Sequence, residues 1–109
     1  MTTSVSSDIL RGHTDTILLG LLREGDKYGY ELSKLIYERS GQSYELKEAT
    51  MYSSLRRLES EGFIAAYWGD ESQGGRRKYY RLTAAGEKGH DALLREWKRA
   101  RKILDRLID

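Results

Sequence analysis

The sequence predicts a mainly α-helical chain with one small β-hairpin, the plan of a winged helix-turn-helix with a long C-terminal dimerisation helix added. Three observations lead there. Three stretches with apolar residues at helical spacing each stop at a glycine, namely Gly25, Gly41 and Gly62. The period then changes to two on either side of the polar loop GDESQGG, residues 69–75. Beyond it an amphipathic segment runs to the C-terminus, with apolar residues stepping by four and three.

Each element follows from its own pattern. Residues 8–24 form a first helix with Leu10, Ile17, Leu18, Leu21 and Leu22 on its apolar stripe. Residues 29–40 form a second, with Leu32, Leu35 and Ile36 on one face. Residues 47–61 form a third, whose buried stripe is Met51, Leu55 and Leu58. FIAAYW, residues 63–68, and RKYYRLT, residues 77–83, pair as the hairpin. Alternation puts Tyr80 and Leu82 on one face and Tyr79 and Arg81 on the other. Thr83 is placed to cap a last helix over 84–108. The expected division is a winged helix-turn-helix region over 1–83, with residues 1–7 disordered, and a dimerisation helix over 84–109.

Composition narrows the class. A chain of 109 residues with 39% hydrophobic and 33% charged residues makes one domain with a small core, which gains from oligomerisation. Cysteine is absent, so neither disulfides nor a cysteine metal site holds the fold, which suits a cytoplasmic location. No apolar run approaches the length of a membrane span, and MTTSVSSD lacks the features of a signal peptide. The net charge is only +2, so position matters more than sum. SQGGRRKYYRL gathers Arg76, Arg77, Lys78 and Arg81 with no negative charge among them.

Those cations and the third helix suggest double-stranded DNA as a partner. Opposite the buried stripe, Thr50, Ser53, Ser54 and Arg57 follow i, i+3, i+4, i+7 and share a face. Small hydroxyls allow close approach to base edges, and an arginine can donate twice to guanine. Lys47, Tyr52 and Arg56 flank that face, within reach of phosphates. In the wing, Arg76, Arg77 and Lys78 follow the flexible pair Gly74–Gly75, and Gln73 and the Gly75 amide add donors for a phosphate backbone. Asp70 and Glu71 oppose this unless they pair with Arg76 or Arg77. The bland readings are a solvated helix face and a charged strand edge that resists aggregation.

The last helix carries a seam of Leu93, Trp97, Ala100, Leu104 and Leu107, widened by Ile103 and Ile108. Such a seam suits a homodimer, which would favour an inverted-repeat operator. Trp97 is either interface core or the wall of a cavity for a flat ligand, and spacing leaves both open.

These segments together resemble the PadR family of bacterial transcriptional regulators, in its short subclass with one C-terminal helix. The residues that carry the likeness are EATMYSSLRRLESEGFIAAYW and GGRRKYYRLTAAG, in tandem, and the resemblance extends over roughly residues 8–108. YWGDESQGGRRKYYRLT, with Trp97 beyond it, is similar to the multidrug-binding branch of that family. The resemblance implies a homodimer that represses a transporter or stress gene and is released by a planar aromatic effector. It implies a ligand pore at the dimer interface, centred on Trp97. Ile9, Thr16 and Gly20 would come from the first helix, with Leu93, Leu94 and Arg101 from the last. Many members have glycine and proline where this chain has Ala49 and Ser53, so base preference does not carry over. The position of Arg101 is acidic in the multidrug-binding repressor of that family that this stretch resembles, and an arginine there disfavours cationic ligands.

Other classes lack support. The sequence predicts no catalytic residues, no cofactor and no metal site. His13 and His90 have no metal spacing; His13 reads as facing the interface and His90 as an exposed helix residue. Gly86 and Gly89 do not follow a strand in a phosphate-binding unit. The alternative to DNA binding is a winged-helix module for protein–protein interaction; the basic wing is no amphipathic membrane helix.

Overall fold

The computed structural model describes residues 10–69 and 76–109. A 3-10 turn, Arg11–His13, leads into α1, Thr14–Arg23. Then come β1, Lys27–Tyr28, α2, Gly29–Arg39, and α3, Glu48–Ser60. β2, Ile64–Gly69, and β3, Arg77–Leu82, precede α4, Ala84–Ile108. Residues 1–7 and most of the wing turn lie outside the described residues.

Two details depart from the sequence reading. The first helix begins as a tighter turn, where Gly12 is a weak helix former and the Thr14 hydroxyl donates to the Arg11 carbonyl at 3.2 Å. A third strand is also present. β1 pairs antiparallel with β3, Lys27 opposite Tyr80 and Tyr28 opposite Tyr79, so the strand order is β1-β3-β2. A two-residue strand has no readable period. Its pairing nonetheless makes β3 central and supports a ribbon that is marginal with only two strands.

The core forms where α1, α2 and α3 meet the inner face of the sheet. Leu18, Leu19, Leu32, Met51, Leu55, Leu58 and Ile64 are fully buried. Tyr80 joins them from β3 while Tyr79 stays half-buried on the opposite face, as alternation requires. α2 and α3 approach closely at Gly29, where a β-carbon would overlap the Tyr52 hydroxyl. α2 ends in two successive left-handed residues, Gly41 at φ +68° and Gln42 at φ +63°. The Gln42 amide closes that turn on the Tyr37 carbonyl at 2.8 Å.

α4 starts under tight constraint. The Gly86 amide donates to the Thr83 hydroxyl oxygen at 3.0 Å, and that hydroxyl donates to the Gly62 carbonyl at 2.7 Å. Gly86 itself is buried, and a β-carbon there would overlap the Phe63 carbonyl oxygen. The first half of α4 then lies along α1. His90 faces Gly20, its Nε2 3.2 Å from where a β-carbon would stand. Arg23 donates to Asp91 at 2.7 Å and lies 3.1 Å from His90 Nδ1. His90 is therefore half-buried, not the exposed helix residue expected, because Gly20 leaves a notch for it. Residues from Arg101 onward are all exposed.

Burial, and then the Arg23 charge, hold the His90 imidazole below its usual pKa, with Asp91 opposing weakly. A histidine with a depressed folded pKa stabilises the fold fully above its unfolded value near 6.5, and that stability declines as pH falls through it. Denaturant midpoints should fall between pH 7 and 5, and His90→Gln should flatten that dependence. A dependence unchanged in the variant would assign it to other groups.

Candidate nucleic-acid interface

α3 packs on three sides, which decides which residues it offers. Met51, Leu55 and Leu58 are buried as expected. Ala49, Ser53, Arg56 and Ser60 are exposed and step by four, three and four, so they form the outward stripe, with Thr50 beside it. Lys47 is the N-cap residue and is exposed.

The expected reading face is thus turned by about one residue. Ser54 is half-buried on the α1 side. Arg57 donates to both carboxylate oxygens of Asp15 at 2.6 Å and to Glu61 at 3.3 Å. That contact ties α3 to α1, and the Arg57 side chain stays about half exposed. The Asp15 hydrogen bond is also the main reason the Arg57 pKa lies above its ordinary value. Tyr52 is half-buried, with its hydroxyl end against Gly29 of α2. Helical spacing identified the buried stripe, but not which flank of the exposed half packs on α1.

In the wing, cross-strand pairs are Gly69 with Arg77, Trp68 with Lys78, Tyr67 with Tyr79 and Ala66 with Tyr80. The strand faces sort the cations. Lys78 stands 5.7 Å from the centre of the Tyr80 ring, and Arg76 lies over Trp68 at 5.3 Å. Tyr80 is buried, which raises its hydroxyl pKa, and it feels the charges of Glu59 and Arg56 on α3. Lys78, Arg76 and Trp68 therefore share the sheet face next to α3. Arg77 is on the other face, 4.8 Å over Tyr28. There Tyr28, Tyr79 and Tyr67 make a row, with centroids 5.5 and 5.7 Å apart. The Tyr67 hydroxyl donates to Asp26 at 2.5 Å, which raises its pKa. Gln73 and Gly75, and the acidic pair Asp70 and Glu71, lie outside the described residues.

A separate groove of about 400 Å³ opens between α1 and α4, lined by Leu10, His13, Thr16, Ile17, Trp97 and Leu104. His13 meets the Trp97 ring edge-on at 4.7 Å between centroids. Of the pore residues implied by resemblance, the structure brings Thr16 and Trp97 together here. Gly20 instead faces His90, and Leu93 packs on the core. Leu94 is half-buried and Arg101 exposed, neither lining the groove, and Ile9 lies outside the described residues. His13 was legible only as an interface residue, because its contact with Trp97 joins distant parts of the chain. Along the expected dimer seam, Ala100 is half-buried, Leu104 is 44% exposed and Leu107 is 77% exposed.

Three helices, a paired wing and a projecting C-terminal helix define a winged helix-turn-helix protein of the regulator class. The model of the transcriptional regulator PadR-like family matches residues 18–92. The chain belongs to that family. A transcriptional regulator from Clostridium thermocellum has 44% identity and a TM-score of 0.89, over 96% of this chain and 99% of that one. The negative transcriptional regulator PadR of Bacillus subtilis (strain 168) is 35% identical over 79 residues, 72% of this chain and 43% of that protein. A structure of Bacillus subtilis PadR in complex with operator DNA aligns with a TM-score of 0.65 at 31% identity, covering 73% of this chain and 45% of that one.

The Arg57–Asp15 pair is partly exposed, at 49% and 27%, so it should contribute only about 0.2–1 kcal/mol. A double-mutant cycle of Arg57→Ala and Asp15→Asn, read by denaturant unfolding, should show coupling of that order. Strict additivity would mean the fork does not persist in solution.

Proposed function

We propose that the chain is a homodimeric, DNA-binding transcriptional repressor that recognises an inverted-repeat operator. The observation that carries this reading is the single surface made by the outward stripe of α3 and the wing residues Arg76 and Lys78. α3 would enter the major groove and read bases through Ser53 and Arg56, with Thr50 and Lys47 at its edge. The wing would lie along the phosphate backbone through Arg76 and Lys78. The Bacillus subtilis relatives support this: one is a negative regulator and one is complexed with operator DNA.

The dimer reading rests on the far half of α4. Ile103, Leu104, Leu107 and Ile108 are 52%, 44%, 77% and 80% exposed, a seam with no covering element among the described residues. A second copy would bury it. The proposed division is a winged helix-turn-helix region over 1–83 and a dimerisation helix over 84–109, whose first half also packs along α1. The groove at Trp97 is within the size range of small-molecule sites and would take a flat aromatic effector. Its binding would favour a spacing of the two heads that no longer matches the operator, which requires unequal affinity for the two arrangements. A transporter or stress gene is the proposed target, and the cytoplasm the proposed location.

The salt dependence of binding to duplex tests the wing. If two wings neutralise roughly six phosphates, the slope of log affinity on log salt is about −5, on the order of a thousandfold between 50 and 200 mM. Arg76→Ala should weaken binding to all sequences and make the slope shallower. A slope near zero would refute the phosphate role. At the groove, Trp97→Ala should abolish binding of flat aromatic dyes, measured by dye fluorescence, and weaken dimerisation less. Unchanged dye affinity would remove Trp97 from the site.

A further inference from the structure

Trp68 is 58% exposed on a small domain with little apolar material to spare. An indole in water forgoes one of the largest burial gains a side chain offers. Its surroundings indicate what it serves. Trp68 is the penultimate residue of β2, directly across from Lys78. Cross-strand partners project to one side of a sheet, so both stand on the face that Tyr80 shares with α3. The Arg76 guanidinium covers one side of the indole at 5.3 Å. The exposed ring thus has Arg76 on its face and Lys78 as its cross-strand neighbour, and it lies on the same side as the exposed residue Arg56 of α3.

A flat apolar surface with one N–H donor, flanked by positive charge, matches the chemistry of a sugar–phosphate backbone. Deoxyribose presents an apolar edge, and the adjoining phosphate is an anionic acceptor. An apolar protein partner would fit poorly, since docking on the ring would strip water from both cations. We propose that Trp68 is a DNA-contact residue. Its ring packs on a deoxyribose beside the groove that α3 enters, and its Nε1–H donates to the adjacent phosphate. Arg76 holds the ring in place and carries the charge. This rests on the DNA-binding reading above and adds to it an uncharged contact that α3 and the basic residues do not supply. Because no ion is displaced, the contact raises affinity without steepening the salt dependence.

The test uses the full chain labelled with 5-fluorotryptophan. The sequence has two tryptophans, so two fluorine resonances are expected, and the one missing in Trp68→Phe belongs to Trp68. On titration with a duplex selected for binding, that resonance should shift or broaden at saturation. Trp68→Ala should weaken binding roughly tenfold, the scale of losing a hydrogen bond to a charged group, and leave the salt slope unchanged. Trp68→Phe, which keeps a ring and loses the donor, should fall between. Circular dichroism melts of the variants should match the parent, since the ring is outside the core. If a gel shift shows the complex while the Trp68 resonance stays put, or Trp68→Ala binds as the parent does, the proposal is wrong and the DNA-binding reading stands. If no duplex is bound at low salt, both fall together.

Discussion

The direction of α4 depends on one close contact. Gly86 sits on the Phe63 carbonyl with no room for a β-carbon, and the Thr83 hydroxyl ties Gly62 to the first turn of the helix. The helix therefore leaves the sheet at one angle. That angle brings His90 into the notch at Gly20, Leu93 onto the core and Trp97 against His13. It also carries the last turns away from the body, where four large apolar residues meet solvent. The groove and the exposed seam are both consequences of where α4 begins.

The sheet performs a comparable service for the wing. β1 contributes only two residues, but it makes β3 central and gives Tyr79 neighbours on both sides. The wing cations are then sorted by strand parity. Lys78, with Arg76, is on the face of α3, and Arg77 on the far face. A basic run of three residues does not act as one patch when alternate side chains point in opposite directions. The net charge of the protein is small, so this placement decides where a polyanion is attracted.

The buried stripe of α3, the glycine stops and the Thr83 cap were readable because each is a local signal, set by period or by the hydrogen bonding of a few neighbouring residues. The pairing of Arg57 with Asp15 was not. The two are 42 residues apart, and nothing near Arg57 announces the contact. His90 was misjudged for the same reason, since the notch it occupies is made by a glycine on another helix. β1 escaped notice because two residues carry no periodicity.

The sequence by itself determined the order of the helices and the hairpin, the buried stripe of α3, the cation-rich wing and an amphipathic last helix, all properties of residues within a few positions of one another. Only the tertiary structure decided which flank of α3 is free, which wing cations lie beside it, and that His13 and Thr16 share a groove with Trp97. Those outcomes depend on how packed elements are rotated about their axes, and that rotation is set by contacts between residues far apart in the chain.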